Sequence, residues 1–308
     1  MTRLLSRIPA ANPDIYVISP SGAIDDAVRL NRGIESLARL GFHALADRAA
    51  LARDRRFAGT DATRLAAFTR AAQQDAPIVM ISRGGYGLTR ILHRLDFERL
   101  AAAQKHWVGF SDFTAFNLAM LARAGAGTWA GPAVLADFAP ESGELDEITA
   151  GAFVEAMQGQ TEALGFACRG PAGVDVEGVL WGGNLRIVCS LIGTPYLPAI
   201  RDGLLFLEDV GEHPYRIERM FGQLLDAGII ERQAAILLGH FNGYRLAESD
   251  RGYDLSDAIA WLRRRTRVPV ITGLPFGHVS TKLTLPHGAR LGLATERGQA
   301  WLVFPHGH

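Results

Sequence analysis

Short apolar runs alternating with amphipathic stretches predict an α/β fold, with an N-terminal, mostly parallel sheet domain followed by a second, C-terminal α/β domain. Two observations carry this. Runs such as Asp14–Ser19, Pro77–Ser82 and His106–Phe110 have strand length, and sequence with helical periodicity lies between them. The chain has 308 residues, and a domain commonly takes about 100–200.

The elements follow in order. Asp14–Ser19 reads as the first strand and ends at the turn Pro20-Ser-Gly22. Ile24, Val28, Ile34, Leu37 and Leu40 share one helical face, and Gly41 stops that helix. A helix over 62–72, a strand over 77–82, a strand over 106–110 and a helix over 113–123 continue the alternation. After a loop from Asp137 and a helix near 145–158, apolar periodicity fades, which predicts domains at 1–165 and 166–308. Strands follow at 176–180, 204–208, 235–238 and 268–272, with helices near 184–192, 214–227 and 255–265. Gly288–Phe304 reads as a hairpin that turns at Arg297-Gly298.

Composition narrows the function. Hydrophobic residues make up 48% and charged residues 21%, a globular balance. Lys plus Arg and Asp plus Glu each number 32, which argues against a nucleic-acid binder needing a basic field. No apolar run approaches the ~18–20 residues that span a bilayer. The first nine residues lack a signal-peptide core, so the expected location is cytoplasmic, with no membrane partner. Cys168 and Cys189 fit no zinc spacing and read as buried thiols. No His-x-x-x-His occurs, so neither a metal nor another cofactor is expected.

Four segments can carry chemistry. Gly109-Phe-Ser-Asp-Phe-Thr114 lies where a strand hands over to a helix, and Ser111 is there either a nucleophile or a helix N-cap. Position 113 is Phe, so the Gly-x-Ser-x-Gly hydrolase pattern fails. Arg83-Gly-Gly-Tyr-Gly87 is a tight turn, a phosphate loop without the usual Lys, or half of an oxyanion hole with Arg83 ready to fork onto a carboxylate. Glu208 follows an apolar strand, either as a surface acid or as the partner of a catalytic histidine. His278, in the turn Gly273-Leu-Pro-Phe-Gly-His278, is either structural or a general base. His287, His306 and His308 have no such setting.

Together these segments resemble one family, the LD-carboxypeptidases or muramoyltetrapeptide carboxypeptidases. The resemblance runs through Ser82-Arg-Gly-Gly-Tyr-Gly87, Gly109-Phe-Ser-Asp112, Val176-Glu-Gly-Val-Leu-Trp-Gly-Gly-Asn184, Leu207-Glu-Asp-Val-Gly-Glu-His-Pro214 and Phe276-Gly-His278, in the family's order. It implies a serine peptidase that releases the terminal D-alanine of murein tetrapeptides in peptidoglycan recycling, from a cleft between two domains. Ser111 would be the nucleophile, His278 the base and Glu208 its orienting carboxylate. Backbone N–H groups of Gly85 and Asp112 would form the oxyanion hole, and Arg83, Tyr86 and Trp181 would meet substrate. The family also implies a homodimer. Its second branch, which inactivates peptide-nucleotide antibiotics, is the alternative. A non-enzymatic nucleotide-binding module built on 83–87 is another, but it leaves Glu208 and His278 without a role. Since this chemistry needs no metal, dialysis against a chelator is expected to leave the rate unchanged. A loss restored by zinc would reveal a missed ligand set.

Overall fold

The structure is a computed structural model and describes residues 14–304; His306, His308 and the first nine residues lie outside that range. Contacts divide the chain into two units. Of the described residues, the first holds 14–161 and 280–287, and the second holds 162–279 and 288–304. The return of 280–287 to the first unit is a feature that a division into two continuous segments does not represent.

The first unit begins β1 (Asp14–Ile18), α1 (Ala27–Arg39), β2 (His43–Ala46), α2 (Asp61–Gln73), β3 (Ile78–Ile81) and α3 (Phe97–Ala102). It continues β4 (His106–Gly109), α4 (Thr114–Ala124), β5 (Thr128–Ala130) and α5 (Glu147–Met157). The second unit contains β6 (Ala163–Ala167), β7 (Asp175–Asn184), α6 (Leu185–Ser190), β8 (Leu204–Val210), α7 (Pro214–Asp226), β9 (Ala235–Asn242), α8 (Leu255–Arg265) and β10 (Val270–Thr272). Then β11 (Leu285–His287) goes back to the first sheet, and β12 (Arg290–Glu296) with β13 (Gln299–Val303) completes the second.

The first sheet has six strands in the order β11-β5-β4-β3-β1-β2, parallel except for the antiparallel β11–β5 pair. Its central strands are buried on both faces, as parallel strands are. Ile78, Met80 and Val108 join the core with Ile15, Val17, Leu37 and Phe153. Trp107 instead meets Phe68 and Phe116 at ring distances of 5.8 and 5.2 Å. In this 2-1-3-4-5 order a site is expected at the carboxyl ends of the strands, near the point where the order reverses between β1 and β3. The loops at 19–22, 82–87 and 110–111 all leave carboxyl ends of this sheet.

The second sheet has seven strands in the order β10-β9-β8-β7-β12-β13-β6. Strands β10, β9, β8 and β7 run parallel, and β12, β13 and β6 join them by antiparallel pairing. Among the described residues, no helix is long and apolar enough to cross a membrane.

Local differences from the sequence reading have physical causes. The helix expected from Ile24 begins at Ala27, because Asp26 caps it by accepting from the backbone N–H groups of Val28 and Arg29. Val28, placed on the buried face by spacing alone, is 76% exposed. Strand β11 was not read from the sequence; it has three residues with Pro286 at its centre, and as an edge strand it tolerates the missing N–H. Strands β2, β5 and β6 also escaped the reading. The first two have only four and three residues, and β6 contains a glycine.

Gly182 shows how closely the second sheet is built. It pairs with Phe206 across β7 and β8 at a φ of +128°, and an added Cβ would lie 2.0 Å from the Phe206 carbonyl oxygen. Gly182→Ala is therefore expected to destabilise the fold by about 2–4 kcal/mol in chemical denaturation. A change below about 1 kcal/mol would mean that the two strands can part without cost.

Candidate functional site

In the first unit, β4 ends at Gly109 and the chain passes through extended Phe110 to Ser111, whose φ is +63°. A left-handed conformation at a non-glycine residue costs roughly 1–3 kcal/mol and recurs at functional sites. Ser111 then opens a short 3-10 turn, and the N-cap of α4 is Phe113. Ser111 thus does not hold the N-cap position of α4 that the structural alternative gave it.

The loop after β3 lies against this turn. An added Cβ on Gly84 would fall 2.7 Å from Ser111 Cβ and 2.8 Å from its Oγ, so only glycine allows that approach. Gly85 follows with a φ of +116°. Asp112, 1% exposed, joins three segments: its Oδ2 accepts from Ser21 Oγ at 2.7 Å and from the Leu88 N–H at 3.0 Å. Burial pushes its carboxyl up against the opposing effect of these donors and of Arg64. Arg83 is exposed and its Nη1 donates to the Ala23 carbonyl at 3.2 Å. Tyr86 is 44% exposed, with its ring 6.0 Å from that of Phe57.

In the second unit, β8 is buried through Asp209, and Glu208 at its carboxyl end is 0% exposed. His278 Nδ1 lies 2.8 Å from Glu208 Oε2. A proton on Nδ1 that donates to the carboxylate leaves Nε2 as the basic nitrogen of the neutral ring. The histidine side chain keeps 21% exposure. Its turn is fixed from several sides. Asn242 Nδ2 donates to the His278 carbonyl at 2.7 Å, and Phe276 meets Phe206 edge-on with centroids 5.2 Å apart. Gly277, at a φ of +140°, passes so close to β9 and β8 that a Cβ would lie 3.1 Å from the His240 carbonyl oxygen and 3.3 Å from Glu208 Cβ.

Sequence reasoning quoted Asn184 within a motif but gave it no role. It pairs in register with Glu208 and caps α6 by accepting from the Ile187 N–H. Its Nδ2 donates to Glu208 Oε1 at 3.2 Å and to Asp209 Oδ1 at 3.0 Å. The available signal was its place just before a helix, which marks a cap. Asp209 and the Asp112 carboxylate were also missed. Trp181, expected at substrate, is a core residue: it is 1% exposed and its Nε1 donates to Gln233 Oε1 at 2.9 Å. Glu212 and His213 serve other pairs, with Arg186 and Asp250 respectively. Cys168 and Cys189 are unbridged, and burial drives the Cys189 thiol up to about 12. Among the described residues, no group of His, Cys, Asp or Glu could hold a metal ion.

Asp209 gives the second unit a pH signature. Burial, helped by the neighbouring Glu208 charge, pushes its carboxyl up to about 6. The folded chain then holds this proton more tightly than the unfolded chain. The group's contribution to stability is full below about pH 4 and is lost as pH rises to about 6. The displacement corresponds to about 3 kcal/mol. Asp209→Asn is expected to flatten this part of the stability profile in urea titrations between about pH 4 and 6. An unchanged slope would show that Asp209 ionises in its ordinary range.

Comparison with known proteins adds an independent line. The LD-carboxypeptidase N-terminal domain matches residues 15–131, and the LD-carboxypeptidase C-terminal domain matches residues 177–293. A crystal structure of muramoyltetrapeptide carboxypeptidase from Oxalobacter formigenes superposes with a TM-score of 0.88 at 41% identity, covering 96% of this chain and 100% of that one. A Streptomyces coelicolor protein named as a carboxypeptidase is 35% identical over 94% of this chain and 93% of its own length. The murein tetrapeptide carboxypeptidase of Pseudomonas aeruginosa is 31% identical over 89% of this chain and 91% of its own.

Proposed function

The chain belongs to the LD-carboxypeptidase family, and on that premise we propose that it is a serine peptidase releasing the terminal D-alanine from murein tetrapeptides. The observation that carries the reading is the 2.8 Å contact of His278 with buried Glu208, residues 70 positions apart in the chain. A surface acid and an unrelated turn histidine have no reason to meet there. Relatives named for murein tetrapeptide or muramoyltetrapeptide support this choice of substrate.

In this mechanism the nucleophile comes from the first unit and the base from the second. Ser111 Oγ attacks the carbonyl of the L,D amide as His278 Nε2 takes its proton. Glu208 holds the ring by Nδ1 and stabilises the imidazolium that forms. Negative charge on the former carbonyl oxygen is met by the N–H groups of Gly85 and Asp112, donors of a kind worth about 3–4 kcal/mol each in comparable hydrolases. The imidazolium protonates the leaving D-alanine. Water then attacks the acyl-enzyme with His278 again as base, releasing the shortened peptide and restoring Ser111. Arg83 and Tyr86 flank the peptide, and Arg83 takes the terminal carboxylate by forked hydrogen bonds.

Mass spectrometry of a murein tetrapeptide incubated with the protein should show loss of one D-alanine. Ser111→Ala should keep the fold and lower the rate by roughly 10³-fold or more. A variant that retains more than about a tenth of the activity would remove Ser111 from the nucleophile role. Faster cleavage of an acyl-sulfamoyl adenosine than of the tetrapeptide would move the substrate assignment to the peptide-nucleotide branch and leave the triad in place.

A further inference from the structure

The chain balances 32 basic against 32 acidic residues, yet the surface beside the 83–87 loop is not balanced. A tight turn at 54–57 closes with reciprocal backbone bonds of 3.0 Å between Asp54 and Phe57. It is fastened to the loop after β1: the Ala23 N–H donates to the Arg56 carbonyl and the Ala58 N–H to the Ser21 carbonyl, both at 3.0 Å. That loop is fastened to the next, since the Gly22 N–H donates to the Gly84 carbonyl at 3.2 Å. Gly84 in turn abuts Ser111. Three layers of backbone therefore fix the 54–57 turn relative to Ser111, within one unit.

The arginines here fall into two groups. Arg53 pairs with Asp25, and Arg64 and Arg90 pair with Asp61. Arg55, Arg56 and Arg83 are exposed and form no ion pair among the described residues, and Asp54 in the same turn pairs with none of them. Arg56 and Arg83 are also held in place. The Arg56 guanidinium carbon stands 5.8 Å from the centroid of the Tyr86 ring. The Arg83 guanidinium packs on Gly22, where an added Cβ would lie 3.4 Å from its Nε. A guanidinium resting on an aromatic face keeps its N–H edge available for two parallel bonds to an oxyanion.

We propose that Arg56, with Arg55 beside it, forms an anion-recognising rim that selects peptides carrying a further carboxylate besides the terminal one assigned to Arg83. This rests on Ser111 as the point where the peptide lies. The rim determines specificity: Arg56 touches the peptide away from the reacting atoms, and Tyr86 sets the height of its guanidinium. Acidic peptides are favoured over the same peptides with their mid-chain carboxylates amidated.

The test uses the full chain with Ser111→Ala, so that binding is read without turnover. Calorimetric titration compares a murein tetrapeptide having free mid-chain carboxylates with its amidated counterpart. The free form is expected to bind about tenfold more tightly, through charge-assisted hydrogen bonds. Adding Arg56→Gln should bring the ratio of the two affinities close to one, and Arg56→Lys should recover part of it, keeping the charge without the fork. Arg56 is exposed, and an unchanged melting temperature confirms that the variants are folded. A ratio near one before any change to Arg56, or a tenfold ratio that survives Arg56→Gln, overturns the proposal. Turnover by the chain with Ser111 intact reports separately on the catalytic reading. Absent turnover with the binding ratio preserved would refute that reading while sustaining the rim.

Discussion

The second unit is organised around one constraint: a carboxylate at 0% exposure must have hydrogen-bond donors. Leaving Glu208 charged and unpaired in an interior would cost several kcal/mol. Its oxygens instead accept from His278 and Asn184. Each donor depends on backbone geometry. Asn184 reaches Glu208 because β7 and β8 run parallel in the register that sets those two residues side by side. Two glycines precede it in β7, and Gly182 meets β8 too closely for any side chain. His278 reaches Glu208 because Gly239 and Gly277 let the turn lie flat on β9: a Cβ at Gly239 would stand 2.4 Å from the Phe276 carbonyl oxygen.

The first unit meets a comparable constraint with backbone rather than charge. Ser111 stands in a left-handed conformation that its neighbours must hold. The Asp112 carboxylate does much of this, by binding the loop after β1 and the loop after β3 to the same turn. Its burial raises its own energy, as the upward displacement of its carboxyl records. Both units thus keep a buried carboxylate next to a residue of interest, each with donors from segments distant in the sequence.

Much of this was legible in the sequence because the fold places chemistry at strand ends. Ser111, Glu208 and His278 each follow or close an apolar run and stand near glycine, and such positions can be found by reading along the chain. What could not be read depends on pairing between strands. Nothing local in Asn184 announces a bond to Glu208; the register of β7 on β8 creates it. Trp181 sits in the same motif and looked available to a ligand, but β7 turns it into the core against Gln233. Val28 fits helical spacing and still faces outward, since the helix begins later than the apolar pattern does. Strand β11 is only three residues long, and what makes it a strand is its pairing with β5.

That late strand bears on how the chain is made. Strand β5 is complete only when Leu285–His287 pairs with its second edge. The segment before it is pinned to the same unit: Thr149 Oγ1 donates to the Ser280 carbonyl and accepts from the Lys282 N–H, Thr281 bonds Asp146, and the Lys282 ammonium meets buried Asp137. A ribosome therefore has to make the chain through residue 287 before the first sheet is complete. Until then β5 presents an unpaired edge, the kind that recruits strands from other molecules. A fragment ending at residue 161 would keep that edge permanently. The two units are separable by contacts but not by a single cut, and neither is a self-sufficient piece of gene.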